Sequence, residues 1–221
     1  KHTGIGGANI RGDNREAQSG NRIHRKAFDC RNLGMATTKR RTFRNVVGHA
    51  KGVVSLRDLN AWSNENYDPE LDWGKVRKLR DKWGGKLILK GIQDVEDAKL
   101  AVQSGADAIV VSNHGGRQLD GAQSSIHALP AIVEAVGSDI EVWMDGGIRS
   151  GQDVLKAWAL GARGTLIGRA MVYGLGAMGE AGVTKALEII HKELDVTMAF
   201  CGHTDIRTVD SRILLPTATS R

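Results

Sequence analysis

"GADAIVVSNHGGRQLDG", residues 105–121, decides how this chain is read. Four apolar residues, Ala108 to Val111, run without alternation into Ser112, Asn113, His114, two glycines and Arg117. A short uninterrupted apolar run closed by turn residues is the pattern of a strand buried on both faces of a parallel sheet. Packing has no use for the polar cluster at its end. At one strand, however, a turn with a surface arginine explains that cluster as well as a site does. The rest of the chain has to decide.

Working outward, the same design recurs. Upstream, "KLILK" (86–90) is a short apolar strand, and "DVEDAKLAVQSG" an amphipathic helix with Asp94 as N-cap and Gly105 as terminator. Downstream come a helix in "SSIHALPAIVEAVG" that tolerates Pro130, a strand in "IEVWMD" (140–145) and a helix in "SGQDVLKAWALG". A fourth strand in "GTLIG" (164–168) and a long helix in "GVTKALEIIHKELDVTMAFCG" follow. Ahead of them, Trp73, Val76, Leu79 and Trp83 recur at helical spacing and stop at Gly84–Gly85, and "SLRDLNAW" suggests a short helix. "SGADAIVVS" and "LGARGTLIG" repeat one βα unit, which favours a TIM (β/α)8 barrel over a doubly wound sheet. The expected fold class is therefore α/β, with about four βα units, the C-terminal half of such a barrel. Residues 1–60 are expected to form a basic irregular loop segment and 61–221 the half-barrel.

Bulk composition bounds the function. The chain has 221 residues, 41% hydrophobic and 25% charged, a globular balance. No apolar stretch is long enough to span a bilayer, and "KHTGIGGANIRGD" lacks the apolar centre of a signal peptide. Cys30 and Cys201 have no CxxC spacing, which suits a reducing cytoplasmic compartment. The 7 His show no ligand spacing, so no metal is expected. Residues 1–60 hold 13 Lys or Arg against 4 Asp or Glu, net +9, while the remainder is net −3. A solvated loop, a peripheral contact with an anionic membrane surface, and nucleic acid all fit such a segment. Phe28 and Phe43 are its only aromatics, so nucleic acid is set aside.

Each expected strand ends in polar or glycine-rich sequence: Lys90-Gly91, Ser112 to Arg117, Asp145-Gly-Gly-Ile-Arg149, and Gly168-Arg169. In a (β/α)8 barrel these ends share the active-site face. His114, Arg117, Lys90, Asp145, Arg149 and Arg169 are then expected to converge. Glycine and arginine at the last two ends suit a phosphate, bound by backbone N–H groups and guanidinium. Gly146 and Gly147 allow close backbone approach. Four such ends in succession are poorly explained as surface turns. "GLGAMG" (174–179) matches a dinucleotide fingerprint but follows no strand directly, so it is read as close packing of small residues.

On these residues the chain resembles the FMN-dependent α-hydroxy acid dehydrogenase/oxidase family. "SNHGGRQLDG" carries most of the likeness, with "LKG", "DGGIRSGQDVLKA", "LGA" and "IGRA", from about Trp62 onward. "NYDPELDWGKVRKLRDKWGGKLILKGI" looks most like the bacterial L-lactate dehydrogenase branch. The resemblance implies an FMN cofactor and His114 as the base that takes a proton from the α-hydroxy acid. It implies Arg117 and Arg15 on the substrate carboxylate, with Arg11 as the alternative to Arg15. It implies Lys90 beside the flavin N1/O2 edge, Ser112 against the flavin and Asp145 on the ribityl hydroxyls. Gly146, Gly147, Arg149, Gly168 and Arg169 then hold the phosphate. The family's Asp that orients the histidine is replaced here by His2.

The resemblance further implies a small 2-hydroxy acid substrate, with L-lactate first, and a quinone, cytochrome or oxygen as electron acceptor. A homo-oligomer and a location in the cytoplasm or on the inner face of the plasma membrane follow in the same way. Two alternatives stand beside this reading. One is a non-catalytic half-barrel or partner subunit that keeps only the phosphate- or flavin-binding end. The other is a different phosphate-binding flavin barrel, which has no need of the His114–Arg117 pair.

Overall fold

The computed structural model describes Val46, residues 50–54, 56–67 and 69–215. His2, Arg11, Arg15 and Cys30 lie outside the described residues, as does most of the expected basic segment. The chain divides into two units, Lys1–Glu70 and Leu71–Arg221. Helix α1 (Leu56–Glu65) belongs to the first, where "SLRDLNAW" led us to expect it.

The second unit opens with α2 (Trp73–Lys82), whose N-cap Asp72 accepts from the Lys75 N–H at 2.8 Å. Four βα pairs follow: β1 (Ile88–Ile92) and α3 (Val95–Gln103), β2 (Ala108–Val111) and α4 (Ser125–Val136), β3 (Glu141–Asp145) and α5 (Gly151–Ala159), then β4 (Gly164–Leu166) and α6 (Arg169–Met178). Helix α7 (Glu180–Phe200) and two 3₁₀ turns, Ile206–Thr208 and Ser211–Ile213, complete it. The strands are all parallel and lie in chain order, β1-β2-β3-β4. This is half of a (β/α)8 barrel, as the repeated βα unit predicts.

Register divides the sheet into two faces. Leu89, Ile109 and Val142 are paired in one row, and Val111 and Met144 in the next, all on the helix-covered side. There they meet Ala98, Ala101, Leu129, Ile132 and Val136 in one cluster. Complete burial of a side chain such as Ile109 or Leu129 contributes about 1.5–3 kcal/mol. The opposite face carries Ile88, Lys90, Val110, Trp143, Asp145 and Leu166. It is covered less: Ile88 is 42% exposed, and Lys90 and Glu141 are exposed. Among the described strands, β2 alone is buried throughout; β3, though also flanked on both sides, alternates.

Three differences from the sequence reading have local causes. Strand β1 begins two residues later than expected, because the Leu87 N–H is taken by the Asp107 carboxylate at 2.9 Å before the ladder starts. It runs on through Gly91, where the register slips. Strand β4 stops at Leu166, because Gly168 (φ −119°, ψ −90°) turns the chain into a helix, α6, that apolar periodicity did not reveal. "GLGAMG" lies in that helix and at its end, not between a strand and a helix. A Cβ on Gly174 would collide with the backbone of Gly182, and one on Gly182 with Gly174, so α6 and α7 touch backbone to backbone. Pro130 sits inside an unbroken α4.

At the N-terminal ends of the strands Asp107 accepts from Lys86 Nζ (2.7 Å), the Leu87 N–H and Arg80 Nη1 (3.0 Å). The Lys86 hydrogen bond is the first cause that holds its carboxyl below the usual range. This clamp ties α2 to β1 and β2.

Candidate active site

The site is built at the carboxyl ends of the strands. Pairing of Lys90 with Val110, and of Val110 with Trp143, puts Lys90, Ser112 and Asp145 on one face of three adjacent strands. Lys90 Nζ lies 2.6 Å from Asp145 Oδ2 and donates to Ser112 Oγ at 3.0 Å. Asp145 Oδ1 is buried and has no hydrogen-bond partner among the described residues. One carboxylate oxygen thus neutralises the ammonium, and the other is left as an acceptor for a hydroxyl.

Beyond β2 the chain turns through "NHGGR". Ser112, itself buried, accepts the His114 N–H at 3.0 Å on the same Oγ that meets Lys90. Asn113 caps the 3₁₀ turn His114–Gly116: its Oδ1 accepts from the Gly115 N–H at 3.0 Å. Its own N–H donates to Ser125 Oγ (3.2 Å) and its Nδ2 to the Gln123 carbonyl (3.3 Å). Gln93 Nε2, past β1, reaches the same carbonyl at 2.8 Å. These bonds hold His114 at φ +55°, the one left-handed non-glycine residue among those described. Such a conformation persists only where its surroundings over-determine it, and it concentrates at functional sites. Gly115 and Gly116 continue the turn at φ +70°. Arg117 then folds back, with Nε donating to the His114 carbonyl at 3.2 Å and its exposed outer nitrogens without a hydrogen bond among the described residues.

The other two strand ends carry glycines and exposed arginines. Gly146 and Gly147 follow β3 at φ +91° and +82°; a Cβ on the first would press Ser125 Oγ at 3.1 Å, and the second borders open space. The Arg149 N–H donates to Asp153 Oδ2 at 3.0 Å, while its side chain is exposed. After β4, Gly168 begins α6 with no side-chain cap, which leaves the first-turn N–H groups open beside the exposed Arg169. Neither guanidinium has an ion-pair partner among the described residues.

The structure therefore brings Lys90, Ser112, Asp145, His114 and Arg117 into one hydrogen-bonded group. It places Gly146, Gly147, Arg149, Gly168 and Arg169 at the two following strand ends, and Arg15 lies outside the described residues. Sequence reasoning missed Asn113, Gln93, Gln123 and Ser125. An Asn before a His-Gly-Gly turn was a usable signal, since asparagine both tolerates and caps such turns. The two glutamines carried none.

Residues 11–216 match the model of the FMN-dependent dehydrogenase family, and the chain belongs to that family. It is 52% identical over 168 residues to the L-lactate dehydrogenase of Caulobacter vibrioides (strain NA1000 / CB15N), covering 76% of this chain and 43% of that protein. Against the L-lactate dehydrogenase of Actinobacillus pleuropneumoniae serotype 5b (strain L20) it is 49% identical over 171 residues, 77% of this chain and 45% of that one. Among solved structures it resembles the monotopic membrane protein (S)-mandelate dehydrogenase, with TM-score 0.73 and 39% identity over 76% of this chain and 44% of that one. A mandelate oxidase variant with a monooxide FMN adduct matches with TM-score 0.60 and 48% identity, over 62% of this chain and 44% of that chain. The chain thus spans less than half the length of the curated relatives it matches.

The residues present fit FMN. Asp145 Oδ1 is a buried acceptor with no hydrogen-bond partner among the described residues, Lys90 is a cation beside it, and the Gly147 backbone and the uncapped start of α6 are open with arginines nearby. Together these meet a hydroxylated chain, an electron-rich ring edge and a phosphate.

Proposed function

We propose that this chain carries one half of the active site of an FMN-dependent L-2-hydroxy acid dehydrogenase or oxidase, with L-lactate as substrate. The observation that carries the reading is the strained His114 turn locked to Ser112, and through it to the Lys90–Asp145 pair. The L-lactate dehydrogenase relatives support the choice of substrate.

Arg117 supplies a planar fork for the substrate carboxylate; for Arg15, outside the described residues, the same role rests on the family resemblance alone. His114 presents an imidazole nitrogen that accepts the proton of the substrate hydroxyl. Lys90 holds the ring edge of FMN, with Ser112 beside it; Asp145 takes the ribityl hydroxyls; Gly146, Gly147, Arg149, Gly168 and Arg169 take the phosphate. FMN, when bound, supplies the two-electron acceptor. A quinone, cytochrome or oxygen then reoxidises the protein, which acts as a homo-oligomer. The basic residues 1–60 suit a salt-sensitive contact with an anionic membrane surface, and the monotopic (S)-mandelate dehydrogenase supports that placement. No described helix is long and apolar enough to cross a membrane.

A second reading is a half-barrel that binds phosphate or flavin but does no chemistry. The uncapped start of α6 beside the exposed Arg169 suits a phosphate without any need of His114, which favours it. One experiment separates the two. FMN is added anaerobically to the purified chain, then L-lactate, and the visible flavin band is followed. Bleaching that His114→Ala abolishes is expected. Bound flavin without bleaching leaves the second reading, and no binding removes both.

A further inference from the structure

We infer that Gly91 is a positioning residue for the His114 imidazole. The functional consequence rests on the reading of His114 as the base; the contact itself does not. Glycine inside a strand weakens it, so its presence in β1 needs a reason. Gly91 adopts φ +102°, and the β1–β2 register slips between Lys90 and Ile92. Such a bulge re-aims the side chains around it. A Cβ at Gly91 would stand 2.8 Å from Cε1 of His114, 3.7 Å from Nδ1 and 3.8 Å from Nε2. The carbon corner of the ring therefore rests against the Gly91 backbone, and the two nitrogens stand almost equally to either side.

Neither nitrogen has a hydrogen-bond partner among the described residues, so the ring is held by its carbon edge and keeps both nitrogens for substrate and an orienting group. The backbone of His114 is held by Ser112 Oγ and by the Asn113 cap. A side chain at 91 thus meets the ring first. The same bulge separates Lys90, aimed at Ser112 and Asp145, from Ile92, which packs in the helix-side core.

The test is a double-mutant cycle with a spectroscopic readout. Gly91→Ala is made in the native chain and in His114→Ala, and unfolding by urea is measured without flavin. Gly121→Ala is the control: it has φ +75° and open space around it, so it carries backbone strain alone. Gly91→Ala should lower the urea midpoint more when His114 is present than when it is alanine, while Gly121→Ala should cost the same in both. The Cε1–H resonance of His114 should shift in Gly91→Ala and stay in Gly121→Ala. In the flavin-loaded protein, turnover should fall about 100-fold, the cost of roughly 1 Å of misplacement. If Gly91→Ala does not fold, adding His114→Ala should restore folding, and failure to do so overturns the inference. Additive midpoints with an unmoved Cε1–H resonance overturn it as well. Coupling without substrate bleaching would keep the role of Gly91 and remove the hydroxy acid reading, and bleaching without coupling would do the reverse.

Discussion

Lys90 and Asp145 meet at 2.6 Å across the strand that separates them, with Ser112 of the loop after that strand 3.0 Å from the same ammonium. Three consecutive strand ends are thereby joined through one nitrogen. The pair is partly exposed, so its own contribution to stability is small, about 1 kcal/mol or less. Lys90→Met should lower the urea midpoint of the flavin-free protein only slightly. Flavin affinity should fall much more if Lys90 holds the ring edge as proposed. Equal losses in both measurements would place Lys90 in the scaffold instead.

Phosphate recognition can be separated from ring recognition. Arg149→Ala and Arg169→Ala should each weaken FMN binding about 10- to 100-fold, as expected for a lost hydrogen bond to a charged group worth about 1.5–3 kcal/mol. Riboflavin, which lacks the phosphate, should bind both variants as it binds the native chain. Titration by quenching of flavin fluorescence reads both ligands, and a parallel loss for riboflavin would refute the assignment.

Acid stability should depend on Asp107. Its carboxyl lies below the ordinary value of 3.8 because Lys86, the Leu87 N–H and Arg80 favour the charged form. A carboxyl lowered in the folded state stabilises the protein fully above its unfolded value, and this is lost as pH falls through the folded one. Asp205 and Asp210, held down by Arg207 and Arg212, act with the same sign. The urea midpoint should therefore drop below the ordinary carboxylate value. Asp107→Asn should lower it at neutral pH and flatten the acid limb, and an unchanged acid limb would exclude the clamp.

Gly151 begins α5 where α7 crosses it: a Cβ there would collide with the backbone of Ile190, Glu193 and Leu194, and its N–H donates to Glu193 Oε2 at 3.0 Å. Gly151→Ala should cost about 1–3 kcal/mol, the usual range for overpacking, because a helix backbone cannot yield as a side chain can. Chemical denaturation checks this. Gly147→Ala, with open space around it, carries only the backbone strain of φ +82° and should cost less than Gly151→Ala.

Much of this was legible in the chain order of the residues. The apolar runs around Ile109 and Val142, the Asp94 cap and the glycines after β3 are local signals: burial, capping and left-handed turns leave their mark within a few residues. His114 and Arg117 stood out because a buried strand has no other use for them. Strand β4 and helix α6 were less legible, since their limit is set by how Gly168 turns, and glycine permits many turns.

Sequence alone therefore determined the βα repeat, the strand that ends in "SNHGGR" and the residue types at each strand end. Only the tertiary structure decided that Lys90 neutralises Asp145, that Ser112 serves both Lys90 and His114, and that Gly91 yields its place to an imidazole. The reason is physical. Lys90 is 22 positions from Ser112 and 55 from Asp145; such residues meet only through strand register, and a shift of one residue would turn Lys90 or Asp145 to the opposite face.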